Sequence, residues 1–373
     1  MKNYHTLLLV ILSLVLTQCK ENKDKKQNAT EVEVVKSYGV DDFKTLPKID
    51  VHVHINTLNS HMIDLARTNN IKLLNIAVDY PGSPLSIEEK QEISREHAKN
   101  HPDVFAFGST FSLEGWDDPD WSDKVIAKLK MDFEKGANSI KTWKNIGMDF
   151  RDKNGDLVFL DHPKFDPIFD FLKNEGKIWM SHAGEPLNCW LPLDSMTVNN
   201  DRNYFRANPK YHMYLHPDLP SYQEQIDHRD NRAAKNPDLS LVAVHMASLE
   251  WSVDETAKFL DRFPNATVDL AERMSHTQYQ SQRDREKVRD FFIKYQDRVL
   301  YGTDFGESDK TDPEELEAYM KEVWENDWKY FNTDQMISVP QLNTPVQGLA
   351  LPKEVVDKIY YLNAKRVFPN AWE

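Results

Sequence analysis

The chain has 373 residues, 40% of them hydrophobic, which is enough apolar material for a core and excludes wholesale disorder. Its formal net charge of −14 argues against nucleic acid, whose phosphates need a basic stripe. Two cysteines cannot build a disulfide scaffold, and 12 Gly with 19 Pro exclude collagen-like and Gly-rich low-complexity chains.

The N-terminus reads as an address. Lys2 precedes the apolar run Leu7 to Leu16, which is shorter than the about 20 residues a spanning helix needs. A positive start and a short apolar stretch form a signal peptide, residues 1–18. The run ends Leu16-Thr17-Gln18-Cys19, which resembles the lipobox of bacterial lipoproteins, with Gln18 where that pattern has Gly, Ala or Ser. The resemblance implies that Cys19 is lipidated and becomes the new N-terminus. Residues 19–46 then form the lipid-bearing Cys and a charged, solvated tether. The protein is expected on a membrane of the bacterial cell envelope through that lipid alone, the alternative being an ordinary cleaved leader and a secreted or periplasmic product. With Cys19 lipidated, Cys189 has no partner for a disulfide.

From residue 47 the pattern alternates. Strands are predicted over Lys48–His54, Leu73–Asp79, Val104–Thr110, Asn138–Trp143, Lys177–His182, Leu241–His245, Ala266–Leu270 and Arg298–Asp304. Each is short and apolar, as buried parallel strands are. Helices are predicted between them, over Ser86–Asn100 (opened by a capping-box spelling), Asp123–Lys135, Asp166–Glu175, Asp254–Phe263 and Arg285–Tyr295. Eight β-then-α units imply a closed (β/α)8 TIM barrel, residues 47–373, rather than two domains. A long insertion follows the fifth strand, in which only Ser221–Lys235 reads as helix, and an extra helix, Asp312–Phe331, follows the eighth. A long loop at the mouth of a barrel strand covers the active site.

The chemistry gathers at the strand ends. The first strand ends His52-Val53-His54, and residues i and i+2 share a face, so both imidazoles point into the barrel. The fifth ends in His182, the sixth in His245 and the eighth in Asp304. Histidines with one carboxylate make a nitrogen/oxygen shell suited to Zn2+ or a similar divalent ion. Asp50 is expected on the strand face opposite His52, in a packing or supporting role. Arg273, just past the seventh strand, is a candidate for a substrate carboxylate or phosphate. Glu185 and Trp190 are expected in the pocket. Lys141 and Lys144 are candidates for substrate charge, which would suit an anionic or sugar-acid substrate. His5, His61, His97, His101, His162 and His228 read as surface or helix-capping groups; His212, His216 and His276 could reach the mouth.

Taken together, Ile49-Asp-Val-His-Val-His54, Ser181-His-Ala-Gly-Glu-Pro186, Val244-His-Met-Ala-Ser248, Tyr301-Gly-Thr-Asp304 and Asn363-Ala-Lys-Arg-Val-Phe368 resemble the amidohydrolase superfamily of metal-dependent barrels. They are similar, more narrowly, to the branch that includes aminocarboxymuconate semialdehyde decarboxylase and small-molecule lactonases. The resemblance covers residues about 47 to 370. It implies one divalent metal, Zn2+ with Mn2+ or Fe2+ as alternatives, held by His52, His54, His182 and Asp304. His245 would then stand beside the water as base or proton relay, with Asp304 as the other catalytic group. In a two-metal version His245 would bind a second ion and a carboxylated Lys141 would bridge the pair. The expected activity is hydrolysis of a small polar lactone, ester or amide by metal-activated water. The rivals are a non-oxidative decarboxylase on the same site and a lipid-anchored binding protein on an inactive barrel. Members of the family often form dimers, so a homodimer is a further expectation of the resemblance.

Overall fold

A computed structural model describes residues 37–372. The leader, Cys19 and His5 lie outside them, as does most of the tether. Eight parallel staves form the barrel: β1 (Lys48–Ile55), β2 (Ile71–Ile76), β3 (Phe105–Gly108), β4 (Ser139–Thr142), β5 (Ile178–Ser181), β6 (Leu241–Ala243), β7 (Ala266–Asp269) and β8 (Val299–Leu300). The last stave is broken. β8 pairs with β7, the chain bends through Tyr301 to Asp304, and a continuation β9 (Phe305–Glu307) pairs with β1. This break closes the barrel, helped by Val51 N donating to Tyr301 O at 3.1 Å and a bridge between Ser109 and Ile140 that joins β3 to β4. The fold is therefore the (β/α)8 barrel that the alternation predicts.

Strand alternation sorts the core into two shells. Ile49, Val51, Leu74, Met180, Val242 and Leu300 pack inside, where Phe368 and Trp372 from the C-terminal segment join them. Trp372 Nε1 donates to Leu73 O at 3.1 Å. Leu73, Phe105, Ile140, Trp179, Leu241 and Val299 face the helical layer instead.

In β1 the alternation is interrupted. Its register against β2 shifts between Asp50 and Val53. This bulge leaves Val51 in the inner cluster and Val53 and Ile55 in the outer one. Asp50 thereby stays opposite His52, as expected, although regular alternation would have put the two on one face. Its carboxylate accepts from His52 N at 3.0 Å, from Thr303 N at 3.1 Å and from Thr303 Oγ1 at 2.5 Å. It ties the first stave to the break in the eighth.

The helices follow their caps. Ser86 and Ser221 cap Ile87–Asn100 and Tyr222–Lys235 with complete capping boxes. The insertion after β5 departs from the sequence reading: besides Tyr222–Lys235 it holds a helix over Asn199–Ala207 and several single 3-10 turns. The polar spelling Asn199-Asn-Asp-Arg-Asn-Tyr-Phe-Arg-Ala207 hides that helix; it buries only Asp201 and Phe205. Residues 38–46, in the stretch assigned to the tether, pack against Pro313–Asn332. Phe43 is buried with its ring 5.8 Å from that of Trp328, and Tyr38 OH donates to Asp357 at 2.8 Å. No helix among the described residues is long and apolar enough to cross a membrane.

Helix Pro313–Asn332 also carries a buried acid. Asp327 accepts from Tyr301 OH at 2.9 Å, and burial pushes its carboxyl up to about 8. The folded protein therefore keeps a proton that the unfolded chain loses near pH 4, so stability declines as pH rises toward 8. Asp327→Asn is expected to flatten that decline by up to about 1.4 kcal/mol per pH unit between pH 5 and 8. Urea melts across this range check it; an unchanged slope would contradict the assignment.

Candidate active site

The mouth of the barrel opens on a cavity of about 820 Å³, lined among others by His54, Lys141, His182, Glu185, His245, Arg273 and Asp304. At its floor, β1 delivers His52 and His54. Asp304 sits at the break in the last stave with φ 70°, its N–H donating to His52 O at 2.8 Å. This turn carries the carboxylate back across β1. Its Oδ1 lies 3.0 Å from His52 Nε2 and 2.9 Å from His54 Nε2. Gly302 allows the approach: a Cβ there would stand 3.0 Å from His52 Cβ.

The other ring nitrogen of each histidine is committed. His54 Nδ1 lies 2.7 Å from Ile76 O, and His52 Nδ1 lies 2.7 Å from Asp269 Oδ2. Both acceptors engage Nδ1, so Nε2 is the nitrogen each ring presents toward Asp304. Burial and Lys141 work to lower the pKa of His52, but Asp304 and Asp269 outweigh them and raise it, whereas burial lowers that of His54. Burial works to raise Asp304, but His52, His54 and His245 outweigh it and hold this carboxyl well below its usual range.

His182 and His245 line the same cavity, ring centroids 4.3 Å apart. His245 is also 4.8 Å from His52, centroid to centroid. Burial drives both pKa values well below the histidine norm, so both rings are neutral. Their Nε2 atoms are buried without a hydrogen-bond partner. The donor set fits a divalent ion: His52, His54 and Asp304 bring their ligand atoms within 4.8 Å of one another, and unpartnered imidazole nitrogens lie beside them. His182 stands outside that tight group but lines the same cavity.

Asp269, at the end of β7, was missed by the sequence reading. It is fully buried. Besides His52 it accepts from His245 N at 2.6 Å and Ala271 N at 3.3 Å. Although it falls within a second possible metal group with His52 and His245, both its oxygens are engaged in orienting the other two. The signal was available, since an acid at the carboxyl end of a buried barrel strand needs a reason to be there.

His245 is presented by unusual backbone. His245, Met246, Ala247 and Ser248 have φ of 57°, 53°, 59° and 52°, one turn of left-handed helix made without glycine. Such a turn costs roughly 1–2 kcal/mol per residue and persists only where its surroundings hold it. Here Arg229 donates to Ala247 O, Tyr222 OH to Ser248 O at 2.5 Å, and Asp269 takes the His245 amide. Ala247→Gly is expected to relieve part of the strain and stabilise the fold by about 1 kcal/mol. A lower melting temperature for that variant would contradict the strain.

The remaining expectations divide. Lys141 Nζ lies 2.5 Å from His52 Nε2, inside the metal-type cluster, with burial lowering its pKa to about 8. Lys144 is consumed by a buried ion pair with Glu185, surrounded by the rings of Trp143, Tyr204 and Tyr211. Glu185 does line the cavity. Trp190 does not: its half-buried ring packs 5.4 Å from that of Tyr222, and Nε1 donates to Pro220 O at 3.2 Å, because its large apolar surface closes the base of the insertion. Neither His212, His216 nor His276 lines the cavity; His276 is buried 3.0 Å from Asp201. His97, expected as a surface or helix-capping group, is buried and bonds Thr57 O at 2.8 Å.

A closed barrel with this histidine–carboxylate cluster at the carboxyl ends of its strands defines a metal-dependent enzyme. The Amidohydrolase family model matches residues 145–369, and the chain belongs to that family. No curated protein matches it significantly. Among solved structures, 2,6-dihydroxybenzoate decarboxylase from Rhizobium shares the fold at 15% identity and a TM-score of 0.50, over 87% of this chain and 98% of the other. An uncharacterised TIM-barrel protein from Bordetella bronchiseptica is similar at 15% identity and a TM-score of 0.49, over 88% and 100%. 5-Carboxyvanillate decarboxylase from Sphingomonas paucimobilis is similar at 14% and 0.42, over 82% of each chain.

Proposed function

We propose that the protein is a metal-dependent hydrolase of a small polar lactone, ester or amide. The observation that supports this most directly is the convergence of His52 Nε2 and His54 Nε2, at 3.0 and 2.9 Å, on one carboxylate oxygen of Asp304 at a large cavity. His52, His54, His182 and Asp304 would hold one divalent ion, Zn2+ being the best match to borderline nitrogen and oxygen donors. When bound, the ion supplies Lewis acidity, lowering the pKa of a water and polarising a carbonyl. Ile76 O and Asp269 keep the two strand-one imidazoles in the tautomer that can ligate. Asp304 has a second oxygen to accept a proton, and His245 Nε2, without a partner, can receive that proton and return it to a leaving group.

The deciding experiment reconstitutes the full chain with zinc, manganese or iron and screens lactones, esters and amides against aromatic carboxylic acids. Chelator-sensitive ring opening or acyl hydrolysis is expected. Release of CO2 from a carboxylic acid with no hydrolysis of the other set would replace this reading with the decarboxylase one.

The position of Lys141 favours one variant of the site. Its amine, buried and only 2.5 Å from a ligand nitrogen, is placed to bridge two ions if carboxylated. Two metals per chain in bicarbonate, falling to one in Lys141→Ala, would select the two-metal form; one metal in both would reject it. For location, we propose attachment to the cell envelope through a lipid on Cys19. Mass spectrometry of the mature N-terminus tests it, and an unmodified terminus elsewhere would reject it.

A further inference from the structure

The barrel wall loosens at the break in the last stave. β7 pairs with β8 only as far as Asp269 and Leu300, and Leu270 N adds one bond to Leu300 O at 3.1 Å. Tyr301 N then turns away to Ile359 O at 3.0 Å, and β9 pairs with β1 alone, as the edge of its sheet. A second cavity of about 60 Å³ lies there, between the break and helix Pro313–Asn332. Gly302, Thr303 and Phe305 line its barrel end, and the exposed residues Tyr319, Glu322 and Pro340 line its outer end. Glu272 and Asn200 line both this cavity and the active-site cavity, and so form the partition between them.

Size and charge limit what can use the second cavity. It has room for about two to four waters and too little for a substrate. Glu272, Glu322 and Asp327 line it with no Lys, Arg or His, which turns anions away and suits protons. Gln278 lines it too, 2% exposed, with its side chain bonded to no described residue; a buried amide needs a partner, and water in this cavity can be one. Glu272 is held at the partition by a left-handed φ of 55° and by Asn200 Nδ2, which donates to Oε2 at 3.2 Å. Asn200 Oδ1 in turn accepts from Ser275 Oγ at 3.2 Å. Oε1 is left uncommitted among the described residues. Burial and then the Asp304 carboxylate raise the pKa of Glu272, Arg273 and Asn200 oppose them, and with a smaller push from Asp201 it stands at about 7. From helix Pro313–Asn332, Tyr319 and Asp327 face the same cavity.

We propose that Glu272 passes the proton of each turnover between the active-site cavity and solvent through this side cavity, while the substrate fills the mouth. Hydrolysis of a lactone or ester at neutral pH consumes one water, breaks the acyl C–O bond and yields a carboxylate, a hydroxyl and one proton that has to leave. Glu272 takes up that proton on its reacting side and releases it to water in the side cavity, which restores the carboxylate for the next cycle. Decarboxylation consumes a proton instead, and the same carboxyl would carry it inward. The direction of transfer rests on the hydrolase reading; the route does not.

Two readouts on the metal-loaded full-length protein test it. The first needs no substrate: the infrared carboxyl band of Glu272, identified by its loss in Glu272→Gln, is expected to pass from protonated to ionised between about pH 5 and 9. A band that stays in one form across that range would overturn the proposal, whatever reaction the protein performs. The second is the rate on whichever lactone, ester or carboxylic acid the screen identifies. In dilute buffer Glu272→Gln, which keeps an oxygen for Asn200, should lower kcat at least about tenfold with KM and metal content unchanged, and added imidazole should restore it to within about threefold of wild type. Gln278→Leu, which removes a polar group from the side cavity and leaves the active-site cavity untouched, should show a smaller loss restored in the same way. A loss that imidazole does not restore would make Glu272 a support for Asn200 and the insertion. An undiminished kcat in both variants would send the proton out through the mouth; either result overturns the route. Decarboxylation without hydrolysis, slowed by Glu272→Gln and restored by imidazole, would remove the hydrolase reading and leave the route.

Discussion

Asp269→Asn is expected to weaken divalent-metal binding by about 10- to 100-fold, although Asp269 is not assigned as a ligand. One carboxylate does two jobs at full burial: Oδ2 takes the proton of His52 Nδ1 at 2.7 Å, and Oδ1 takes the amide of His245 at 2.6 Å. An amide has only one acceptor oxygen. If the Asn oxygen faces His52, its NH2 meets the His245 N–H, donor against donor. If it turns the other way, the NH2 faces His52 Nδ1 and favours the tautomer with the proton on Nε2, which removes a lone pair from the ligand set. Either orientation disturbs the site without touching Asp304 or His54. Competition between metal-free protein and a chromophoric chelator measures the change, with Asp327→Asn as a buried-carboxylate control away from the metal. Equal affinity in Asp269→Asn and wild type would show that the carboxylate plays no part in holding the site.

His245→Ala is the second large effect. As a proton relay His245 is worth about 10²- to 10⁴-fold in kcat, and its loss should leave metal content unchanged because His52, His54, His182 and Asp304 remain. As a ligand of a second ion, the same variant would lose one metal per chain. Elemental analysis beside the rate on whichever lactone, ester or amide the screen identifies separates the two roles. Full activity with full metal content would mean that His245 neither relays protons nor binds an ion. The geometry makes the experiment informative: Nδ1 is tied to Ala271 O at 2.9 Å, so Nε2 alone is free to act. The left-handed turn from His245 to Ser248, clamped by Arg229 and Tyr222, holds it there.

Much of this was legible from residue types and spacing. Eight short apolar runs separated by amphipathic stretches fix a parallel barrel, because only closure buries both faces of so many strands. His52, His54, His182, His245 and Asp304 were visible because a barrel turns the carboxyl ends of all its strands toward one mouth. Helix Asn199–Ala207 was not, because its sequence is polar on nearly every side and its stability comes from contacts such as Asn188 to Asp201 at 2.8 Å. Trp190 misled for the opposite reason. Its nearness in sequence to His182 said nothing about direction, and a large ring close to a site serves packing as readily as substrate.

The sequence by itself determined the barrel, the family and the chemical types at the strand ends, since these depend on periodicity and side-chain identity. Only the tertiary structure decided which charges are free. Lys144 and Arg273 look alike in sequence as candidates for an anion, yet Lys144 is neutralised by Glu185, while Arg273 Nε is buried without a hydrogen-bond partner among the described residues. Asp269 and the bulge in β1 are likewise products of neighbouring staves. The physical reason is that pairing, tautomer and burial belong to contacts between residues far apart in the chain, 217 positions in the case of His52 and Asp269, and no local pattern records them.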